Sequence, residues 1–512
     1  MAVEFSIVLG NVLEPGFILL TFIGAFVGIC FGAIPGLNTP VAIALALPFT
    51  YSLNTPHTLA LIMGIFMGGI SGGLISAILL KIPGTAASIA TVLDGYPMTQ
   101  QGRGPEALAI GTFASFVGGI FSAFVLLLLT PLLSKFALSF GPWEYLGATL
   151  FALSLVCTLM EGKVIKGFIT TFIGLMFATV GMSPIDGRAM RMTFGNVNLN
   201  AGFNLIIVVI GVFAFSELLV NAGKLNEKHK VVDLGKKIFY FPDMKLMFKQ
   251  IPNMIRSSII GVVVGILPGI GATIAGMLSY TQAKRFSKYP ERFGTGCPDG
   301  VVASEAANNA VTGGALIPML ALSVPGDPST AVILGALLIQ GIQCGPLLVT
   351  QHPDLFQTVI IAVFLANIFM FLIQSSTIRF TASLLKLPKY YLMPIIVVFC
   401  SMGAFTVNNR AFDLYSLLFF TVIGYVLQEN GYPLMPLVLA FILGPLIEPY
   451  YRRSLMAYDG NLLDALSTFS MGTVFVVLSM VLPFANPIID RLQRKYRRVE
   501  VSISPNDERG DS

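Results

Sequence analysis

Four Pro-Gly pairs interrupt long apolar segments of this chain. They are Pro35-Gly36, Pro83-Gly84, Pro268-Gly269 and Pro325-Gly326. Proline removes a backbone donor and clashes with the carbonyl four residues earlier, so each pair predicts a break in a helix. A helix that restarts after such a break presents free N–H groups and the positive end of its dipole, which suit a carboxylate.

Small and hydroxylated residues follow each break and are the candidates for a substrate site. A single hydroxyl there more often caps the new helix than binds a ligand, but for the whole set we favour binding. The candidates at the breaks are Pro35, Gly36, Asn38, Thr39, Pro83, Gly84, Thr85, Ser88, Gly269, Gly271, Thr273, Gly326 and Ser329.

Two adjacent amides, Asn308 and Asn309, precede a further apolar run and join the substrate candidates. Amides inside a membrane are costly unless they meet partners, and they can donate to a carboxylate or accept Na⁺. Glu305 could pair with a cation, carry a proton, or sit at an interfacial helix N-terminus. We predict that Glu305, Asp94 and Asp327 couple transport to a cation, although either aspartate could instead be a helix cap.

An enzymatic alternative arises at Gly69-Ile70-Ser71-Gly72-Gly73, which matches a serine-hydrolase pattern. A serine nucleophile needs a base, and none of the three histidines (His57, His229 and His352) lies inside an apolar helix that could face Ser71 at depth. Close helix packing explains these glycines better. The sequence also lacks nucleotide-binding and metal-binding motifs, so we expect neither an enzyme nor a cofactor beyond a coupling cation.

The segments that carry these residues are those of a membrane protein. The 512 residues are 55% hydrophobic and only 11% charged, whereas soluble domains carry about 25% charged residues. Apolar runs such as 107–133 and 356–374 reach the roughly 20 residues that span a bilayer as a helix. We predict an all-α polytopic membrane protein with about 11–14 transmembrane or re-entrant helices.

Matching motifs divide the chain into two internal repeats. Gly28-x3-Gly32-x2-Pro35-Gly36 recurs at 261–269, and Gly72-x-Leu74-Ile75 followed by Pro83-Gly84 recurs at 314–326. Internal repeats are typical of secondary transporters. We predict a first membrane repeat (1–222), a basic linker (223–256), a second membrane repeat (257–489) and a basic, then disordered, tail (490–512).

The distribution of basic residues indicates the orientation. The linker and the tail are rich in Lys and Arg, which places both in the cytoplasm, and the net charge of +5 reflects such flanking residues rather than nucleic-acid binding. The loop 51–57 has no Lys or Arg, whereas its counterpart carries Lys284, Arg285, Lys288 and Arg292. This contrast favours an inverted relation between the repeats.

Four long motifs resemble those of a known family, the large membrane subunit of bacterial tripartite tricarboxylate transporters. They span 31–48, 81–98, 265–280 and 304–327, and the resemblance extends over nearly the whole chain. It implies a cation-driven importer (Na⁺ or H⁺) of citrate-like or other organic carboxylates in the bacterial inner membrane. It also implies two partners: a small four-helix membrane subunit and a periplasmic solute-binding protein that delivers the substrate.

We therefore expect a secondary active importer subunit in the lipid bilayer, with its C-terminus in the cytoplasm. A passive channel is the main alternative that is not a transporter, and an intramembrane protease acting through Ser71 is the enzymatic one. Saturable, accumulative uptake would separate the transporter from the channel. The identity of the carboxylate and of the cation is not encoded in these motifs.

Overall fold

A computed structural model defines residues 12–158, 164–183, 189–222, 241–269, 271–384 and 408–484, with isolated residues at 10 and between 394 and 405. Residues 223–240 of the predicted linker and the whole predicted tail (490–512) lie outside this description. The predicted boundaries of the two repeats are not tested by it and stay predictions.

The described residues are helical almost throughout, with one antiparallel pair of two-residue strands. The helices are α1 (Pro15–Ala33), α2 (Thr39–Thr50), α3 (Thr55–Leu80), α4 (Ile89–Gln100), α5 (Gly104–Ala137), α6 (Pro142–Thr158), α7 (Val164–Ala178), α8 (Leu205–Val209), α9 (Ser216–Ala222), α10 (Met244–Ile266), α11 (Gly271–Phe286), α12 (Pro298–Leu322), α13 (Pro328–Ile339), α14 (Pro346–Gln351), α15 (Pro353–Leu384), α16 (Ala411–Glu429), α17 (Met435–Ala457), α18 (Leu462–Ser467) and α19 (Met471–Phe484). A π-helical stretch (Ile210–Phe215) joins α8 to α9, 3₁₀ turns occupy Ala86–Ser88, Val197–Leu199 and Pro290–Arg292, and the strands are β1 (Gly181–Met182) and β2 (Met190–Arg191).

Five of the described helices are long and apolar enough to cross a membrane. They are α1, α3, α5, the Pro353–Thr377 part of α15, and α16. A helix satisfies its own backbone hydrogen bonds, which lipid cannot do for it. The predicted class, an all-α membrane protein, is confirmed, whereas the predicted number of spans stays a prediction.

Two helices, α3 and α12, form the centre of the bundle. The most apolar window of α3 is wholly buried, and every residue of α12 from Gly300 to Ala321 is buried. Glycines bring α1 against α3: a Cβ at Gly24 would collide with the Leu61 carbonyl, and a Cβ at Gly32 with the Gly69 carbonyl. These contacts advance in the same direction along both helices, so α1 and α3 run parallel, and the close packing predicted for the glycine-rich face of α3 is observed.

The first Pro-Gly break of each half forms the tip of a helical hairpin. Beyond α1, Gly36 has φ 90°, and α2 returns until the Thr58 hydroxyl meets the Thr50 carbonyl at 3.4 Å. Beyond α10, Gly269 has φ 84°, and α11 returns along α12. Both glycines lie in the left-handed region, which a side chain disfavours. Just before each tip, Gly32 packs on Gly69 and Gly265 packs on Gly314, so each tip lies near the middle of a central helix.

The second break of each half follows a central helix directly. α3 ends at Lys81 (φ 62°) and α12 ends at Ser323 (φ 60°), and both residues have left-handed backbone conformations. After α3 the chain turns back, and the Gly84 amide donates to the Gly73 carbonyl at 3.3 Å. After α12 the Gly326 carbonyl accepts from the Gly269 amide of the hairpin tip at 2.9 Å. The second break thus meets the hairpin tip inside the bundle.

Long helices cross over between the halves. α5 packs on α12 and runs parallel to it, since Ser115 meets Glu305 and Gly313 faces Ser122. α15 packs on α1 and α3 and runs parallel to α1, since Phe369 contacts Phe22 and Phe380 contacts Phe26. α5 and α15 themselves run antiparallel, as Phe116 meets Phe371 and Phe124 meets Phe364. The central helices α3 and α12 therefore run in opposite directions.

Candidate functional site

Two threonine hydroxyls from different breaks converge on one face of α3. A Cβ added to Gly69 would lie 2.7 Å from the Thr39 hydroxyl, and one added to Gly73 would lie 2.5 Å from the Thr85 hydroxyl. Gly69 and Gly73 are one helical turn apart, about 6 Å along the axis. Both hydroxyls are buried and make no hydrogen bond within the described part of the chain. Glycine at these two positions leaves room beside both hydroxyls.

Other candidates beside these threonines have local partners. The Asn38 side chain accepts from the Val41 amide at 3.1 Å, and the Ser88 hydroxyl donates to the Thr85 carbonyl at 2.9 Å. Such bonds are those of helix caps and turns. Gly84 is packed so closely that a Cβ would collide with the Gly32 carbonyl, so its part is to let the backbone approach.

The amides of α12 are buried without sufficient partners. Asn308 is wholly buried, and neither its Oδ1 nor its Nδ2 makes a hydrogen bond of ordinary geometry to a described residue, although Glu305 is nearby. Asn309 donates to the Glu305 carbonyl at 3.3 Å, but its Oδ1 has no described partner. An unpaired buried amide costs on the order of 1–3 kcal/mol. Several such groups together indicate a place that a polar ligand or water occupies.

Glu305 is wholly buried and is held by hydroxyls of the other half. It accepts hydrogen bonds from Thr91 of α4 and, at 2.9 Å, from Ser115 of α5, and the Ser304 hydroxyl lies 3.0 Å from that of Thr91. No basic side chain among the described residues forms an ion pair with it. A buried carboxylate without a counter-ion suits a group that takes up a proton or lies near a cation.

The two aspartates proposed for cation coupling both have structural partners. Asp94 accepts from the amides of Gly294 (2.9 Å), Gly296 (2.8 Å) and Cys297 (2.8 Å), and from the Tyr280 hydroxyl (2.9 Å). Asp327 caps α13 and forms a reciprocal capping box with Thr330. Their role in coupling stays a prediction, and the geometry accounts for each without a cation.

The remaining candidates lie around the second-half breaks. Gly271 begins α11 with φ 70°, Thr273 lies half-buried on its first turn, and Ser329 is buried at the start of α13. The restarts pair across the halves. α2 packs on α13, and α11 packs on the Ala86–Ser88 turn and on α4.

The threonine pair and the asparagine pair lie at neighbouring depths. A Cβ at Gly111 of α5 would lie 3.7 Å from the Ile78 side chain of α3 and 3.6 Å from that of Glu305 of α12. Ile78 and Glu305 therefore lie at a similar depth. Gly73 lies about 7.5 Å before Ile78 along α3, and Asn308 lies about 4.5 Å after Glu305 along α12. Because α3 and α12 are antiparallel, both displacements point in the same direction.

Sequence reasoning missed two buried amides of α15, Asn367 and Gln374. A Cβ at Gly119 of α5 would collide with the Asn367 side chain, whose Oδ1 has no partner among the described residues. Gln374 bonds to Ser71, the serine of the enzymatic alternative, so that this serine faces an amide. Amides inside an otherwise apolar run were the available signal.

An all-helical membrane bundle, with interrupted helices around buried polar groups, is the architecture of many membrane transport proteins. The chain belongs to the tripartite tricarboxylate transporter TctA family, whose sequence profile matches residues 18–439. This confirms the resemblance noted in the sequence, and the family is one of transporter subunits.

Two curated relatives are similar to this chain, both from Agrobacterium vitis. One is described as an uncharacterized 52.8 kDa protein in the TAR-I ttuC' 3' region, and it is 33% identical over 476 residues, 92% of this chain and 94% of that protein. The other is described as an uncharacterized protein in the TAR-II ttuC' 3' region, and it is 36% identical over 227 residues, 43% of this chain and 94% of that protein. No solved structure matches this chain.

Proposed function

We propose that this chain is the translocating subunit of a secondary active importer of organic carboxylates, driven by Na⁺ or H⁺ symport. One observation carries the proposal: buried polar groups without partners gather where interrupted helices meet the two central helices. In a transporter, such groups gain hydrogen-bond partners when the substrate binds. The citrate-like class of substrate rests on family membership and on the dipoles of the restarting helices.

The proposed chemistry divides between two kinds of group. The hydroxyls of Thr39 and Thr85, with the amide nitrogen of Asn308, donate to substrate carboxylates. The side-chain oxygens of Asn308 and Asn309, together with Glu305, accept a coupling cation or proton. A cation bound beside the substrate offsets part of its negative charge, which lowers the cost of moving an anion through a low-dielectric interior.

We further propose that the two halves are inverted repeats and that the membrane is the bacterial inner membrane. The opposite directions of α3 and α12 and the matched left-handed ends at Lys81 and Ser323 support inversion. Lys284 and Arg285 lie in the last turn of α11, and Lys288 and Arg292 lie between α11 and α12. Gln101 reaches the same face through a 2.7 Å bond to the Thr295 carbonyl. The positive-inside rule assigns this face, and the C-terminus, to the cytoplasm.

The proposed partners are those of a tripartite system. A small four-helix membrane subunit would pack beside this chain, and a periplasmic solute-binding protein would deliver the carboxylate. Membership of the TctA family supports a multi-subunit assembly. The identity of these partners is open to direct test by co-purification.

The function is tested by reconstituting the complete assembly in vesicles and measuring carboxylate accumulation under an imposed cation gradient. Asn308→Ala and the double variant Thr39→Val, Thr85→Val should abolish accumulation while membrane insertion persists. Thr170→Val is the matched control, because that buried hydroxyl bonds only within its own helix, at 2.9 Å to the Gly167 carbonyl. Normal accumulation in both site variants would refute the assignment, and uptake that persists without any gradient would indicate a channel.

A further inference from the structure

A large cavity lies apart from the candidate substrate site. It has a volume of about 1290 Å³ and is bounded by residues of α6, α7, α13, α14, α17 and the segment around β1 and β2. The most buried side chains of its lining include Thr149 and Leu334, which are 4% and 2% exposed. Its exposed lining includes Gln343, His352 and Arg453. The lining therefore includes both exposed polar side chains and buried, mostly apolar ones.

The inner end of the cavity reaches one of the helix interruptions. Ser323 and Val324 line it, and these residues begin the turn from α12 to Pro325-Gly326. The Ser323 hydroxyl donates to the Cys344 carbonyl at 2.5 Å, which ties this turn to the loop before α14. The cavity thus leads from the surface to the chain that precedes the restart at Asp327.

The charges of the lining favour an anion. Its charged residues are Arg191, Glu448 and Arg453. Arg191 bonds to Glu448 at 2.8 Å, and Glu448 also lies 3.5 Å from Arg452, which does not line the cavity. Arg453 forms no ion pair with any residue that the structure describes. One cationic side chain is therefore available to an incoming anion.

The cavity lies at the end of α12 that is opposite to the basic segment. α12 begins next to the basic segment that contains Lys288 and Arg292, and it ends at Leu322 beside the cavity. Its 25 residues span about 37 Å, which exceeds the hydrocarbon thickness of a bilayer. If the basic face is cytoplasmic, the cavity opens to the outside.

We propose that this cavity is an outward vestibule that binds carboxylates weakly before they reach the interrupted helices, with Arg453 as the residue that attracts them. The inference rests on the proposed function for the class of the cargo and for the orientation of the chain in the membrane. The Arg191–Glu448 pair holds the β1–β2 segment against α17 at the opening. A cation near a partly enclosed apolar wall concentrates anions there and speeds their entry.

Cysteine labelling tests the vestibule without any transport step. In a chain whose five native cysteines are replaced by alanine, Gln343→Cys places a thiol in the exposed lining. Intact cells are treated with methanethiosulfonate reagents carrying either a sulfonate or a trimethylammonium group. The proposal expects the thiol at position 343 to react with reagent added outside the cells. It also expects the ratio of the anionic to the cationic labelling rate to be higher at position 343 than for free cysteine.

Adding Arg453→Gln should then lower the ratio of anionic to cationic labelling rates by about tenfold at low salt. Arg452→Gln, at the neighbouring arginine outside the lining, should leave the ratio within about twofold, because that side chain is exposed to solvent and Glu448 offsets part of its charge. High salt should reduce the effect of Arg453→Gln. Lys288→Cys, on the basic face, should react only after the cells are permeabilised.

Equal ratios in the parent and in Arg453→Gln would overturn the vestibule, as would labelling of position 343 only after permeabilisation. Gln351→Cys provides a second reporter in the same lining if position 343 perturbs folding. These results are independent of the uptake assays. Loss of uptake in Asn308→Ala together with unaltered labelling ratios would retain the transporter and refute the vestibule alone.

Discussion

Ser71 and Gln374, 303 residues apart in sequence, form a reciprocal pair of hydrogen bonds in the centre of the bundle. The Ser71 hydroxyl donates to the Gln374 side-chain oxygen at 2.8 Å, and the Gln374 amide donates to the Ser71 carbonyl at 3.1 Å. Both side chains are wholly buried. This contact fixes α15 on α3 at the level of Gly69 and Gly73, where the two unpaired threonine hydroxyls lie.

We predict that Gln374→Ala lowers the free energy of unfolding by about 2–3 kcal/mol, because it removes a buried amide and leaves Ser71 unpaired. Ser71→Ala should lower the free energy of unfolding by about 1 kcal/mol less than Gln374→Ala does, since only one hydroxyl is removed. Thermal unfolding of the purified protein in detergent measures both. A double variant whose loss equals the sum of the single losses would show that the two side chains do not interact.

Gly84→Leu should abolish uptake, because its side chain would displace the break from the Gly32 carbonyl and from the Ser76 hydroxyl. Gly276→Ala is the matched control, since its Cβ would have ordinary contacts of 3.5 Å or more. Uptake and the amount of inserted protein are measured for both variants in vesicles. Wild-type uptake by Gly84→Leu would mean that close approach at this break is dispensable.

Glu305→Gln should separate substrate movement from its energy source. Glutamine keeps the shape that Thr91 and Ser115 contact, but it removes the negative charge that a proton or cation would meet. We expect gradient-driven accumulation to fall at least tenfold, on the order of 1.4 kcal/mol or more of lost coupling, while exchange of labelled for unlabelled substrate continues.

Counterflow in vesicles loaded with substrate measures that exchange, and Ser304→Ala serves as a neighbouring control that leaves the carboxylate in place. Glu305 would have no role in coupling if substrate accumulation by Glu305→Gln responded to the gradient as that of the unaltered protein does. If the variant lost both exchange and accumulation, Glu305 would instead have a role in substrate binding.

Asp94→Asn should behave as a structural variant rather than as a coupling variant. The carboxylate accepts three hydrogen bonds from the loop before α12 and one from Tyr280 of α11, and asparagine has a single acceptor oxygen for them. We expect a loss of about 2–3 kcal/mol in stability and a fall in inserted protein. Uptake per inserted molecule should keep its dependence on cation concentration, which initial-rate measurements over a cation series would check. A changed cation dependence at normal stability would restore Asp94 as a coupling residue.

Much of the fold could be predicted from the sequence because it depends on local chemistry. Apolar runs of spanning length require helices in lipid, and the structure has long apolar helices at α1, α3, α5 and α15. Proline and glycine terminate helices for reasons internal to the backbone. All four Pro-Gly pairs accordingly lie between helices. Membership of the transporter family was carried by the same local motifs.

Only the tertiary structure decided which of these groups meet. The pairing of α5 with α12 and of α15 with α3 joins residues more than 180 positions apart, and hydropathy contains no information about such partners. Asp94, which the sequence made a candidate for cation coupling, accepts hydrogen bonds from four donors. The contacts of Asn367 and Gln374 became visible only in the structure. A hydroxyl or an amide gains its role from the donors and acceptors around it, and packing of distant helices determines those surroundings.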